Sequence, residues 1–182
     1  MMAFVTFLAL SPSFSHAQIF FYFEPGPGKP PVQGESLMKD HVNDTEILSL
    51  SSGFSNAITI SSATSGMGAG KASFSEIKYK KMLGKSSASL LNALCTGSNM
   101  GKVEIRYYTP PVALKINKYL VLSLENVFIS AIEHEGTGTE RPTESISLNY
   151  GKITWNYFEP DALGIYKLVS TTSWNRVTNT LQ

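Results

Sequence analysis

The chain has 182 residues, 42% of them hydrophobic and 11% aromatic, enough for one domain with its own core, and collagen-like or disordered classes are excluded. Lys and Arg number 15 against 14 Asp and Glu, and a net charge of +1 excludes the basic footprint of a nucleic-acid or anionic-membrane binder. Charged residues make up only 16%, their place taken by Ser, Thr and Asn, and the single cysteine, Cys95, cannot form an intrachain disulfide.

Met1 to Leu10 is apolar except for Thr6, and Ser15-His16-Ala17 has the small–x–small form of a signal-peptidase site. The run is too short to span a bilayer, so no stable membrane insertion is expected, and no Lys or Arg supplies a positive n-region. Residues 1–17 therefore read as a signal peptide or leader, and 18–182 as a single domain.

From Gln18 onward the period is that of strands. Ile19 to Phe23 is a dense run of β-formers, ended by Pro25-Gly26-Pro27-Gly28-Lys29-Pro30-Pro31, which suits neither a helix nor a central strand. Glu46 to Phe54 alternates, with Leu48, Leu50 and Phe54 predicted on one face. Ser55 to Gly70 reads as an extended loop of small residues, and Lys71 to Lys81 as one strand with Ile77 and Tyr79 in phase. Val103, Ile105 and Tyr107 share a face until Pro110-Pro111 stops the run. Leu120, Leu122 and Leu124 form the next apolar face, which passes to Val127, Ile129 and Ala131 beyond Glu125. Ile146, Leu148 and Tyr150 likewise give way to Ile153, Trp155 and Tyr157. Such a change of parity needs one extra residue, here Gly151, and marks strands that pass between sheets or around a barrel. Ser173-Trp174-Asn175 closes the chain as a short strand.

One segment reads as helix. Ser86 or Ser87 stands at its N-cap, Leu90, Leu91, Leu94 and Cys95 fall on one face, and Gly97 occupies the C′ position. Cys95 is expected to be a small buried hydrophobe. The sum is about six to eight strands and one helix, without βαβ alternation and so without a parallel sheet.

No constellation of residues carries a reaction. Gly66-Met67-Gly68-Ala69-Gly70-Lys71-Ala72 lacks the first glycine and the Ser or Thr of a phosphate loop, and a strand follows it instead of a helix. Glu133-His134-Glu135 cannot converge on one metal, because alternate residues of a strand point to opposite faces. His41 stands apart and is expected to be exposed; Cys95 has no partner base, and no G-x-S-x-G occurs. Asn43-Asp44-Thr45 matches a glycosylation triplet that is common by chance. The chain reads as non-catalytic, with no catalytic, cofactor-binding or metal residues and no cofactor.

Several blocks in order carry a resemblance: Gly34-Glu35-Ser36 with Lys39-Asp40-His41, Glu46 to Gly53, Gly68-Ala69-Gly70-Lys71, and the helix Ser89 to Gly97. Tyr119 to Leu122 with Val127 to Ser130, Pro142 to Tyr150, and Ser173-Trp174-Asn175 complete the set. Together they cover about residues 18 to 179 and resemble the hemolysin-coregulated protein (Hcp) family, the tube protein of bacterial type VI secretion. The resemblance implies a mainly β fold, a β-barrel of two antiparallel sheets flanked by one helix. It implies a homo-hexameric ring stacked into a tube inside a contractile sheath, with sheath and spike proteins as partners and effector proteins carried in the lumen. The loop at 55–70 corresponds to the one through which rings of the family meet. Such a protein assembles in the cytoplasm and is secreted. Two features depart from the family: the leader, and the insert Pro25–Val32, which reads as a solvated loop. With a functional leader, the alternative is a Sec-exported, periplasmic Hcp-like binding module outside the apparatus.

Overall fold

The computed structural model describes residues 18–24, 32–59, 68–111 and 115–182. The leader, most of the insert after Glu24 and the middle of the small-residue loop lie outside the described residues. Among those described, thirteen strands and one helix form, more strands than expected, because several predicted runs divide.

Ile19 to Phe23 lies within β1 (Gln18–Glu24), as its β-branched and aromatic residues demand. The chain returns through β2 (Thr45–Glu46), which pairs with β1, and β3 (Ser49–Ser51), which pairs with β6 (Ile77–Met82). Between β2 and β3 the chain changes sheet: the Ile47 amide donates to the Ile19 carbonyl at 3.0 Å, and the Leu48 amide to the Lys80 carbonyl at 2.8 Å. That crossing overturns the face predicted for Leu48, Leu50 and Phe54. Ile47 is the buried residue, Leu50 is half-buried, and Leu48 and Phe54 are exposed.

The predicted loop at 55–70 is strand at both ends, where residues 55–59 and 68–70 belong to a hairpin of β4 (Phe54–Thr59) and β5 (Gly68–Phe74). The predicted strand 71–81 breaks at Ser75-Glu76. There the Ser75 hydroxyl accepts from the Gly53 amide at 2.7 Å and donates to the Gly53 carbonyl at 3.1 Å, so β5 ends in the hairpin and β6 starts in another sheet. Helix α1 (Ser87–Thr96) starts after Ser86 and ends at Gly97, whose φ of 60° is the left-handed conformation that favours glycine. The Ser86 side chain makes no capping hydrogen bond.

The rest of the chain runs through β7 (Lys102–Tyr108), β8 (Lys118–Glu125), β9 (Phe128–Glu135), β10 (Thr143–Asn149), β11 (Lys152–Pro160), β12 (Tyr166–Asn175) and β13 (Thr180–Leu181). One sheet has seven antiparallel strands in the order β13-β12-β11-β8-β7-β1-β2, and the other has four, β3-β6-β10-β9. Both parity changes read from the sequence are places where the chain changes sheet. β8 passes to β9 through Asn126, at φ 54°, and β10 passes to β11 through Tyr150-Gly151. The two corners lie side by side: the Gly151 amide donates to the Glu125 carbonyl at 2.9 Å, and a Cβ on Gly151 would come within 3.2 Å of the Asn126 Cβ. Ser173-Trp174-Asn175 ends a long strand, because β12 pairs with β11 from Tyr166 onward, and the two-residue β13 follows it.

Between the sheets lie Phe21, Phe23, Val103, Ile105, Leu122, Leu124 and Ile153 from the larger, and Ile77, Tyr79, Ile129, Ile146 and Leu148 from the smaller. Helix α1 lies against β9. Its buried residues are Leu90 and Ala93, with Leu94 half-buried, while Leu91 and Cys95 are exposed, which corrects the predicted face and the expected burial of the thiol. Residues 90, 93 and 94 span one contact stripe, and 91 and 95 sit about 100° further round. Leu90→Ala is therefore expected to cost about 2–5 kcal/mol, and Leu94→Ala clearly less. Urea unfolding of both variants checks this, and equal midpoints would contradict the assigned stripe.

Candidate functional site

The larger polar cluster lies where the N-terminus of α1 meets the smaller sheet. Lys81 follows Ile77 and Tyr79 in phase on β6, and Glu144 precedes Ile146 and Leu148 in phase on β10, so both side chains point inward. Their side chains are 1% and 0% exposed, with Lys81 Nζ 2.7 Å from Glu144 Oε1. The Ser87 hydroxyl donates to Glu144 Oε1 at 2.7 Å, and Lys81 donates to the Met82 carbonyl at 3.0 Å. Glu35 accepts from the Ser86 amide at 3.1 Å. Burial pushes the Glu144 carboxyl up, but hydrogen bonds from Lys81 and Ser87, the Lys81 charge and His134 outweigh it and leave the group below its ordinary range. Burial, with Glu144 and Glu35 nearby, pushes the Tyr79 phenol well above its ordinary value. The network joins helix, loop and two strands, and its charged groups partner one another, while the buried Tyr79 and Ser86 hydroxyls have no hydrogen-bond partner among the described residues; it is a structural staple.

His41, expected to be exposed, is buried. It is 5% exposed, stacked on Phe20 with ring centroids 4.2 Å apart, edge-on to Tyr108 at 4.6 Å, and its Nδ1 lies 2.9 Å from Asp44 Oδ2. It fixes the connection from Ser36 to Asp44 against β1 and β7. At the other edge of that connection a Cβ on Gly34 would collide with the Asp44 carbonyl, so the two segments meet backbone to backbone. The middle residue of Glu133-His134-Glu135 turns inward to Glu144, with Nε2 to Oε2 at 3.2 Å, while Glu135 pairs with Lys80 on the other side of the strand. The three do not converge. Among the described residues no group of three or more His, Cys, Asp and Glu could hold a metal, and no helix is long and apolar enough to cross a membrane. Gly68 to Lys71 lies in a strand, as the rejection of a phosphate loop requires.

What remains is surface. Every residue from Lys167 to Thr172 on β12 is exposed, and in a strand that opens both faces to solvent. Leu168 and Val169 are 52% and 56% exposed, and Leu163 and Ile165 in the preceding turn are exposed too. On β11, Trp155 and Tyr157 continue the inner face of the sheet past Ile153 but emerge from the core half covered. The root of the β4–β5 hairpin covers part of that face: Phe54 lies 6.2 Å from Trp155 between centroids, and Phe74 stacks on Trp174 at 6.1 Å. Arg176 locks the root by donating to the Phe74 and Tyr150 carbonyls, each at 2.9 Å. A strand that opens Leu168 and Val169 to solvent, beside the β4–β5 hairpin, is a surface suited to other chains. The sequence reading missed the staple and this surface. The in-phase Lys81 and Glu144 were a readable signal for the first; the second needed the strand order.

A family model described as "Type VI secretion system effector, Hcp" matches residues 23–157. No curated protein matches the chain. Among solved structures, a type six secretion system protein is 25% identical, with a TM-score of 0.80, over 92% of this chain and all of its own. Hcp1 from Salmonella typhimurium is 16% identical with a TM-score of 0.69, over 91% of this chain and 99% of its own. The secreted protein Hcp3 from Pseudomonas aeruginosa is 19% identical with a TM-score of 0.59, over 88% and 98%. The latter two are likenesses of fold.

Proposed function

The chain belongs to the Hcp family of type VI secretion proteins, non-enzymatic structural proteins, and on that premise we propose that it is a ring-forming tube component of such an apparatus. In this reading residues 18–182 are the working domain. Copies associate as a homo-hexamer, rings stack into a tube bounded by sheath and spike proteins, and effector proteins travel in the lumen. The observation that carries the reading is the exposure of Leu163, Ile165, Leu168 and Val169 on β12 and the turn before it in the isolated chain. A surface patch that meets a different patch on the next copy closes into a ring when the rotation closes, and stacking extends it. The low charge content favours such packing, since interface cores are depleted of charged residues.

Fractionation of a culture tests the reading. The protein is expected in the cytoplasm of cells that lack the contractile apparatus and in the medium of cells that have it. Release to the periplasm regardless of the apparatus would overturn the tube role and favour the leader-directed interaction module.

A further inference from the structure

The end of the seven-stranded sheet at Tyr108, Lys118 and Pro160 holds a cleft of about 330 Å³, within the size range of peptide and small-molecule sites. Pro110, Tyr119, Tyr157, Phe158, Pro160 and Tyr166 line it. Tyr157 and Phe158 both line the cleft beside a register shift in which β12 carries the extra residue, Val169, and Lys118 Nζ lies 5.1 Å from the centre of the Phe158 ring. At its rim stands Glu159. The lysine opposite it in the register, Lys167, is taken by Asp161 at 2.8 Å, and Glu159 makes no ion pair among the described residues.

Rigid aromatic and proline walls with one acidic group at the rim are the chemistry that binds a proline-rich strand carrying a basic residue. The chain contains one such segment, Pro25-Gly26-Pro27-Gly28-Lys29-Pro30-Pro31. It cannot reach the cleft of its own chain. It leaves β1 at Glu24, which pairs with Lys102, whereas the cleft lies past the opposite end, where Gln18 pairs with Tyr108. That is about 20 Å along β1 and about 14 Å across the strands from β1 to β11. A segment tied at Glu24 and Val32 has a contour of about 28 Å, and so extends about 14 Å out and back.

We propose that this cleft receives the Pro25–Pro31 segment of a second copy of the chain, with Lys29 beside Glu159. Donor and receptor sit at opposite ends of one sheet, so the contact is head-to-tail and propagates from copy to copy. It deepens the assembly reading above and rests on it for the identity of the occupant.

The test is fluorescence anisotropy with a labelled peptide of residues 24–33. It is titrated with the full chain whose own prolines at 25, 27, 30 and 31 are replaced by serine, so that no neighbour's segment competes. Saturable binding is expected, weakened at least ten-fold by Tyr157→Ala or Tyr166→Ala in variants whose thermal midpoints stay well above the assay temperature. Glu159→Lys is expected to weaken it several-fold, with recovery when the peptide carries Lys29→Glu. Absence of saturable binding, or wild-type affinity in both tyrosine variants, overturns the proposal. Native mass of the unaltered chain reads the ring separately: a hexamer without peptide binding sinks only the cleft, and a chain that stays monomeric at every concentration sinks the contact between copies together with the ring.

Discussion

Replacing Lys81 with methionine is expected to lower the stability of the domain by about 3–5 kcal/mol, because it leaves the Glu144 carboxylate buried without its counter-charge. Methionine matches the lysine stem in length, so packing changes little, and the loss is electrostatic. Ser87 and His134 still reach Glu144, which holds the cost within that range. The double variant Lys81→Met with Glu144→Leu is expected to recover most of the loss, since removing both charges removes the desolvation cost of each. The pair also sets a pH dependence. The folded-state pKa of Glu144 lies below its ordinary value of 4.5, so the stability it lends is present above that pH and is lost as pH falls through the folded value. Urea titrations at neutral and acid pH check both statements. A double variant as unstable as the single one would contradict them.

Val169→Asp on the exposed stretch of β12 has the opposite profile. The residue is 56% exposed in the isolated chain, so the folded monomer should change by no more than about 0.5 kcal/mol. In the proposed ring the new carboxylate would be buried and unpaired at each contact, at about 2–5 kcal/mol apiece. The expected result is a folded chain with an unchanged thermal midpoint whose native mass falls from the ring to the monomer. An intact ring would move the interface away from β12.

Much of this organisation was legible in the residues. The aromatic run of β1, the glycine that ends α1 and the two changes of apolar parity near Asn126 and Gly151 are local signals, and each matches a feature of the fold. The errors fall where a distant contact decides. The break at Ser75 depends on Gly53, 22 residues away, and the burial of His41 depends on Phe20 and Tyr108. The helix face was misplaced by one position because four apolar residues on two turns suit two adjacent stripes, and only β9 selects between them. The exposed stretch of β12 was not readable at all from the sequence. Leu168 and Val169 stand side by side with Ser170, Thr171 and Thr172 after them, so no apolar alternation marks the strand, and its place beside the edge of the seven-stranded sheet is set by pairing.

The most direct test of the account is the native mass of the full chain, by native mass spectrometry or light scattering across a wide concentration range. The account predicts a mass six times that of the chain, with longer stacks at high concentration. A stable monomer at every concentration would contradict it, leaving the fold intact and the ring without support.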